Sequence, residues 1–399
     1  MNDRELASLL LPLADRFLPE AVALSDQLAR EPELGSKEYK SAAAHVALLR
    51  KYGIEVEMPF AGFETAFRGV INPEKERRFA LLAEYDALPG FGDDGEPMHA
   101  CGHCVSGAAS TLAALVFQAV RDQLDFGVDI IGTPDEEWNG DKAYIADQGV
   151  FAPYDYAIMV HMGAVTSPAT RFLALDGLNF VWHGQAAHAA SAPEKGRNAL
   201  NAARLFLDAT DMMRQHVDSR VRMHGYIKNG GVASNVVPDY AWIEFLTRHP
   251  ERSVLNDVTE WVKDCAEAAA KMTRTELEFS LAGPPFHDLH ITKSGEALVS
   301  ECLDELGLPY VVEQEGQSTG SSDIGNVDYI CPALHPVMGL GDPSLAIHTR
   351  AFADRMLTDA AHEAIRDSAR LMLTIASKMY GGSGVLKAIR EEHKAYRGY

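Results

Sequence analysis

A short loop in the first third of the chain concentrates side chains that bind divalent metals. Its four candidate residues are His99, Cys101, His103 and Cys104. Thiolates and imidazoles are ligands of borderline divalent metals such as zinc. The apolar run at 80–83 precedes the loop and predicts a buried strand that brings Glu84 and Asp86 to its carboxyl end. Together the loop and the strand end indicate a metal centre at the edge of a sheet.

Two other interpretations of the loop are open. Cys101 and Cys104 have the Cys-x-x-Cys spacing of a redox pair. The alternative is a structural zinc knuckle, although the sequence contains no second Cys/His pair of matching spacing to complete four ligands. The surroundings of the loop favour the metal centre of an enzyme, because acidic residues follow a second apolar run and His161 ends a third.

Adjacent glutamates, Glu136 and Glu137, come soon after the apolar run at 126–132, with Asp135 just before them. Neighbouring carboxylates are usually a solvated pair, and His161 or His348 taken alone is typical of a structural histidine. At the end of a buried strand, however, one carboxylate can hold a metal while its neighbour moves a proton. Metal-assisted hydrolysis requires these two tasks.

The elements that must position these residues are three apolar strands separated by helices, which predict a mostly parallel α/β sheet. From about residue 173 the pattern changes to strand, helix, strand, strand, helix, strand, which predicts a small inserted α+β domain. We therefore expect a catalytic domain formed by 1–172 and 287–399 and an inserted domain at 173–286. A helix at 359–379 followed by a charged tail is expected to end the chain.

Composition excludes several classes of partner. The 399 residues carry a formal net charge of −21, which argues against nucleic acid and anionic membranes as partners. The five cysteines form an odd set without the spacing of a disulfide framework, which favours a reducing compartment. The amino-terminal residues lack the basic start of a signal peptide, so we expect a cytoplasmic protein.

Six ordered motifs resemble the M20 family of metallopeptidases, in particular its amidohydrolase branch. That branch includes hydrolases of N-acyl amino acids, indoleacetyl amino acids and aminobenzoyl-glutamate. The resemblance extends over nearly the whole chain. The motifs are Glu-Tyr-Asp-Ala-Leu-Pro (84–89), His-Ala-Cys-Gly-His (99–103), Gly-Thr-Pro-Asp-Glu-Glu (132–137), the pair His-Gly-Gln-Ala-Ala-His-Ala-Ala (183–190) and Pro-Glu-Lys-Gly-Arg-Asn-Ala (193–199), Asn-Val-Val-Pro-Asp (235–239), and Ala-Ile-His-Thr-Arg-Ala-Phe-Ala (346–353).

The resemblance implies a role for each candidate residue in the catalytic domain. Glu136 matches the general base that takes a proton from the attacking water, whereas Glu84 and Asp86 are expected to orient imidazoles from behind. The bound cofactor would be one or two divalent metals per subunit, with Mn or Zn favoured and Co or Ni also compatible. The implied metal ligands are Cys101, His103, Glu137, His161 and His348.

Further implied roles fall in the inserted domain, which would be the lid and the dimerisation domain. His188 matches a histidine that reaches across a dimer to the tetrahedral oxyanion, and Asn235 and Arg248 lie where the family's lid contacts substrate. A homodimer or a higher homo-oligomer is expected.

The sequence departs from the family pattern beside the metal ligands. Cys104 stands where this branch more often has Asn or Asp. Trp138 and Asn139 replace a small, glycine-rich stretch. We expect the Trp138 indole to bind substrate, stacking on a planar or aromatic group; packing against the lid is the alternative.

These observations predict a metal-dependent hydrolase of a small molecule's C–N bond, most simply an amide joining an acyl or aroyl group to an amino acid. Hydrolytic deamination of an aromatic amine on the same scaffold is the second candidate. A non-catalytic metal-binding relative and a Cys-x-x-Cys redox protein are alternatives from other classes. A relative that had lost catalysis would be expected to have lost at least one site residue by mutation. This chain retains the full set of six, which are Cys101, His103, Glu136, Glu137, His161 and His348.

Overall fold

The computed structural model describes residues 1–312, 320–382 and 384–397. The helices are α1 (Asp3–Arg30), α2 (Tyr39–Lys51), α3 (His103–Ala119), α4 (Asp141–Asp147), α5 (Ala199–Met213), α6 (Arg252–Thr273), α7 (Lys293–Leu306), α8 (Ile324–Asp328), α9 (Arg350–Ala353), α10 (Asp359–Tyr380) and α11 (Val385–Arg397). The strands are β1 (Glu55–Glu57), β2 (Phe67–Ile71), β3 (Arg78–Ala83), β4 (Gly127–Gly132), β5 (Ala157–Ile158), β6 (His161–Gly163), β7 (Ala174–His183), β8 (Arg222–Asn229), β9 (Tyr240–His249), β10 (Glu276–Leu281), β11 (Ala333–Leu334) and β12 (Val337–Gly339).

The chain folds into two compact units. The first comprises the described residues within 1–171, 289–319 and 323–399, and the second comprises 172–288 and 320–322. All five cysteines are free thiols. Among the described residues, no helix has the length and apolar character that crossing a membrane requires.

The first unit is built on a six-stranded sheet in the order β1-β2-β4-β3-β5-β11. Strands β4, β3, β5 and β11 run parallel to one another, whereas β2 is antiparallel to both β4 and β1. Strands β3 and β4 are buried along nearly their whole length, as expected for a sheet covered on both faces. This arrangement confirms the predicted α/β class with a mostly parallel central sheet.

Helix α3 brings the Cys/His loop at 99–104 against the sheet. Its first fifteen residues are buried, and many of them are Ala, Gly or Ser. Gly107 marks the closest approach, because a Cβ atom there would lie 2.3 Å from the carbonyl oxygen of Glu84. Small residues on α3 therefore let the helix start beside the end of β3, where Glu84 and Asp86 follow.

Some elements differ from the sequence expectations. The third apolar run is divided into β5 and the separate strand β6, which pairs in parallel with β12. The expected charged tail forms α11, because Leu386, Ile389 and His393 recur at helical spacing and become buried. Its charged residues occupy the other positions of an amphipathic helix.

The second unit has the order β7, α5, β8, β9, α6, β10 and a fully antiparallel sheet, β10-β7-β9-β8. Side chains of β7 and β9 alternate between buried and partly exposed, and the buried ones pack with α5 and α6. Strand β8 lies at the edge of the sheet, and seven of its eight residues are exposed. The two ends of the unit meet where Leu175 and Phe286 exchange backbone hydrogen bonds of 2.9 Å.

Candidate active site

The loop before α3 places a thiol and two imidazoles together. Gly102, in the left-handed conformation with a φ of 84°, precedes α3 and lets the chain turn sharply between Cys101 and His103. The Cys101 sulfur lies 3.3 Å from Nε2 of His161, which begins β6. One potential ligand atom from each of these three residues lies within 4.8 Å of the other two.

Hydrogen bonds fix the orientation of both imidazoles. Nδ1 of His103 lies 2.7 Å from Oδ1 of Asp86, and Nδ1 of His161 lies 2.7 Å from the carbonyl oxygen of Met162. A carbonyl oxygen or a carboxylate only accepts, so in each ring Nδ1 carries the proton and donates. The lone pair of each Nε2 then remains available to a metal, and Nε2 of His103 has no hydrogen-bond partner among the described residues. Metal-binding histidines commonly show this pattern.

Glu137 and His348 complete the group of donors. The Glu137 backbone N–H donates to the second oxygen of Asp86 at 3.0 Å, so one carboxylate orients two candidate ligands. Oε1 of Glu137 lies 3.4 Å from Nε2 of His348. His348 has a left-handed φ of 59°, and its N–H donates to the Ala100 carbonyl at 2.8 Å, which holds it beside the loop. Potential ligand atoms of Cys101, Glu137 and His348 also lie within 4.8 Å of one another.

The segment after β4 is fixed by Asp135, which has a left-handed φ of 53°. Its backbone N–H donates to Glu38 at 2.8 Å, and its carboxylate accepts from Ser36 at 2.5 Å and from the Asn139 backbone at 3.2 Å. These contacts set the direction of Glu136 and Glu137. Glu137 lies close to Cys101 and His348. A carboxylate oxygen of Glu136 lies within 4.8 Å of His103 and Glu137, and one also lies within 4.8 Å of Glu84 and Asp323.

Burial and like charges shift the pKa values in the pocket. Burial raises the pKa of the Cys101 thiol well above its usual value, and Glu137 adds to the effect. Burial alone would lower the pKa of His103, but Asp86 and Glu84 outweigh it and raise that pKa. Burial also raises the pKa of Glu136 well above its usual value, with Glu84 and Asp323 contributing. The pocket thus has an excess of negative charge, and its thiol needs a neighbouring cation to become a thiolate.

A divalent metal fits this donor set. The unbonded Nε2 of His103 and the unbonded Oε1 of Glu137 are buried polar atoms, and such atoms normally have a partner. The combination of thiol, imidazole and carboxylate suits Zn and the other late first-row metals, and carboxylates also suit Mn. The residues that could hold metal are Cys101, His103, Glu137, His161 and His348.

The redox interpretation has little support from the position of Cys104. This residue lies in the first turn of α3 and is completely buried in the core beside Ser25. Burial raises the pKa of its thiol to about 12. A reactive cysteine needs a low pKa and access to solvent, so Cys104 has the properties of a structural thiol.

A second group of charged side chains adjoins Glu136, and sequence reasoning missed most of it. Lys142, in the first turn of α4, is completely buried. Its ammonium donates to Glu84 at 2.6 Å and to Asp323 at 2.5 Å. Glu84, expected only to orient imidazoles, lies 3.3 Å from Nε2 of His103 but is hydrogen-bonded to Lys142. No motif indicated Lys142; the only signal was a lysine within six residues of the paired glutamates.

The remaining predicted site residues are divided between the two units. His188, Asn235 and Arg248 belong to the second unit. Nδ1 of His188 accepts from the N–H groups of Ala190 and Ser191, so Nε2 carries the proton and is free to donate. Asn235 is paired with the same segment, because its carbonyl accepts from Ala189 at 3.0 Å.

Among the described residues, Arg248 and Trp138 have few hydrogen-bond or ring partners. Arg248 is partly buried, donates to Ser321 Oγ at 3.2 Å and has no carboxylate partner among the described residues. Burial lowers the pKa of this guanidinium. Trp138, in the first unit, is 78% exposed. Arg248 is therefore a partly buried cation, and Trp138 is an exposed indole.

The chain is similar in sequence and in fold to known hydrolases. Over 390 residues the chain is 29% identical to the mouse (Mus musculus) Xaa-Arg dipeptidase, covering 93% of this chain and 88% of that protein. It is 26% identical to one of the subunits of the p-aminobenzoyl-glutamate hydrolase of Escherichia coli K12, covering 95% of this chain and 94% of that protein. A dinuclear metal-binding peptidase of the M20 family from Bacillus subtilis has the same fold, with a TM-score of 0.70, 20% identity and coverage of 92% and 99%.

The family model for peptidase family M20/M25/M40 matches residues 80–376. This range contains the Cys/His loop, the paired glutamates, both later histidines and the whole second unit. The family resemblance and the expectation of a hydrolytic enzyme are therefore confirmed. The chain belongs to peptidase family M20/M25/M40 and is a hydrolase.

Proposed function

We propose that the protein is a metal-dependent amidase that separates an acyl or aroyl group from the nitrogen of an amino acid. The observation that carries this proposal is the position of Glu136, a carboxylate that lies within 4.8 Å of ligand atoms of His103 and Glu137 and has no hydrogen bond of its own among the described residues. The relatives support the substrate class, since they include an indole-3-acetyl-aspartic acid hydrolase and an N-acetyl-L-cysteine deacetylase.

Metal binding, proton transfer and stabilisation of the oxyanion are proposed to be carried out by different residues. A metal held by Cys101, His103, Glu137, His161 and His348 would polarise the amide carbonyl and acidify water. Glu136 takes the proton of the attacking water and passes it to the leaving nitrogen. Nε2–H of His188 is proposed to donate to the developing oxyanion, which in other hydrolases contributes about 3 kcal/mol per donor.

Three residues are proposed to recognise the substrate. Arg248 lacks a carboxylate partner among the described residues, so it is suited to the free carboxylate of an amino acid, with Asn235 as a further polar contact. The exposed indole of Trp138 offers a flat apolar surface directly after the ligand Glu137, which is suited to an aromatic acyl group.

The metal, the assembly and the compartment are part of the proposal. Mn or Zn is the proposed metal, with Co or Ni able to substitute, because the donors are mixed sulfur, nitrogen and oxygen. A homodimer formed through the second unit is proposed, and the exposed edge strand β8 is consistent with it. The second unit is also proposed to act as a lid. Five free thiols favour the cytoplasm.

The experiment that tests the proposal combines metal analysis with a substrate panel. We expect the purified protein to contain one or two equivalents of Mn or Zn, and amide hydrolysis to be lost on chelation and restored by metal. Substrates with a free carboxylate should be cleaved faster than the matching primary amides. Bound metal with release of ammonia from aromatic amines, and no amide cleavage, would contradict the proposal and favour the deaminase.

A further inference from the structure

We propose that Lys142 is a positioning residue for Glu136: its buried ammonium holds Glu84 and Asp323 and so leaves Glu136 as the unbonded carboxylate of the three. The inference rests on the proposed function of Glu136 as general base. It assigns a role to a residue whose hydrogen bonds and ion pairs, within the described part of the chain, involve none of the candidate metal ligands.

The second group is unusual in its charge. Glu84, Glu136 and Asp323 each have an oxygen within 4.8 Å of the other two, so three acidic groups meet in one small volume. They come from three separate segments, after β3, after β4 and before α8. Like charges at this separation repel strongly when they are shielded from water. A neighbouring cation would relieve this repulsion.

Lys142 supplies that cation from within the fold. Its ammonium donates to Oε1 of Glu84 and Oδ1 of Asp323, and its backbone N–H donates to Oδ2 of Asp323 at 3.0 Å. The side chains of Lys142 and Asp323 are completely buried, and that of Glu84 nearly so. Buried ion pairs with satisfied hydrogen bonds hold a fixed geometry. The two acceptors are thereby occupied.

Glu136 is the member that Lys142 does not engage. Within the described part of the chain, its carboxylate accepts no hydrogen bond from Lys142 or from any other residue. A carboxylate that must exchange a proton with a substrate has to be free of such bonds, and it must not be driven out of the pocket by the repulsion of its neighbours. Lys142 meets both requirements, because it neutralises the neighbours without contacting the base.

The test compares Lys142→Met with a matched control, Lys378→Met. Lys378 also binds two glutamates, Glu301 and Glu305, at 2.9 and 2.7 Å, but it lies on α10. For Lys142→Met we expect kcat to fall about 100-fold, at the lower end of what a positioned general base contributes. KM and metal content should remain near those of the wild type. Lys378→Met should retain wild-type kcat.

A second variant separates positioning from simple structural support. In Lys142→Met/Asp323→Asn one negative charge is removed together with the positive charge, and the Asn oxygen still accepts from the backbone of residue 142. We expect kcat to recover about tenfold relative to Lys142→Met, a coupling of the size measured for contacting groups. If Lys142→Met fails to fold, the double variant replaces it in the test. The kcat of the double variant should then exceed that of Glu136→Gln at least about tenfold.

The outcomes distinguish this inference from the proposed function. If Glu136→Gln is inactive while Lys142→Met keeps wild-type kcat, the role of Lys142 is wrong and the general base stands. The role is also wrong if the double variant, with its metal bound, is as inactive as Glu136→Gln. If Glu136→Gln itself remains active, the proposed function fails first.

Discussion

The two groups of side chains on either side of Glu136 are similar in chemistry and opposite in how their charge is balanced. The first, Cys101, His103, Glu137, His161 and His348, leaves buried lone pairs without partners among the described residues. The second contains Glu84 and Asp323, whose oxygens lie within 4.8 Å of each other, but the ammonium of Lys142 is bound between them. Close acidic side chains alone thus do not identify a metal centre. In this protein the two groups are distinguished by whether a lysine already neutralises the acidic side chains.

The largest expected effect comes from Glu136, which lies within 4.8 Å of members of both groups. Glu136→Gln removes the proton acceptor and keeps the shape, so we expect kcat to fall about 1,000-fold, within the range for general-base catalysis. Metal content, measured by elemental analysis, should be unchanged. Glu137→Gln is the contrasting variant and should lose metal; equal metal loss in both variants would contradict the division between the two groups.

The end of β3 offers the next test, because Asp86 is hydrogen-bonded to His103 of the first group whereas Glu84 is hydrogen-bonded to Lys142 in the second. Asp86→Asn should weaken metal binding by about 10–100-fold, the usual cost of removing a carboxylate that orients a ligand histidine. Titration of the apoprotein with Zn measures this change. Glu84→Gln should affect kcat more than metal affinity, and the opposite order would show that Glu84 is itself a ligand.

A smaller effect is expected from the two cysteines of the loop. Cys104→Ala should leave metal content and kcat near the wild-type values and lower the free energy of unfolding by about 1 kcal/mol, as for a typical buried substitution. Urea unfolding measures the loss. Cys101→Ala is the matched variant and should lose metal. A Cys104→Ala protein without metal would show that the thiol belongs to the first group.

The smallest effect is expected from Trp138. Trp138→Ala should raise KM for N-aroyl amino acids about fivefold, the value of one aromatic contact, and change KM for N-acetyl amino acids less. Steady-state kinetics on matched pairs of substrates measures the difference. An equal change for both classes would refute stacking, and it would leave packing within the protein as the role of this indole.

Sequence alone predicted the first group of side chains better than the second, for a physical reason. Ligands at strand ends and in one short loop are predictable, because the carboxyl ends of parallel strands meet at one edge. Lys142 and Asp323 meet through the packing of α4 with α8, which no local pattern encodes. The left-handed conformations of Asp135 and His348 could not be predicted from sequence either, because Asp and His adopt other backbone conformations at most positions.

The α/β class and the order of elements in the second unit followed from the periodicity of apolar residues. The last helix, α11, was missed because its many charges obscured a narrow buried stripe of Leu386, Ile389 and His393. Helix α1 runs through Pro12 and Pro19 without ending, since its packing against α3 and α10 outweighs the lost hydrogen bonds.

The hydrogen bonds between Leu175 and Phe286 have a consequence for protein engineering. Because the chain enters and leaves the second unit at adjacent points, residues 172–288 form a segment whose two ends are already joined, with its own hydrophobic core. Segments with adjacent ends are the ones that tolerate insertion into other proteins and circular permutation. The 172–288 segment is therefore a natural candidate for expression as an autonomous module and for exchange between relatives.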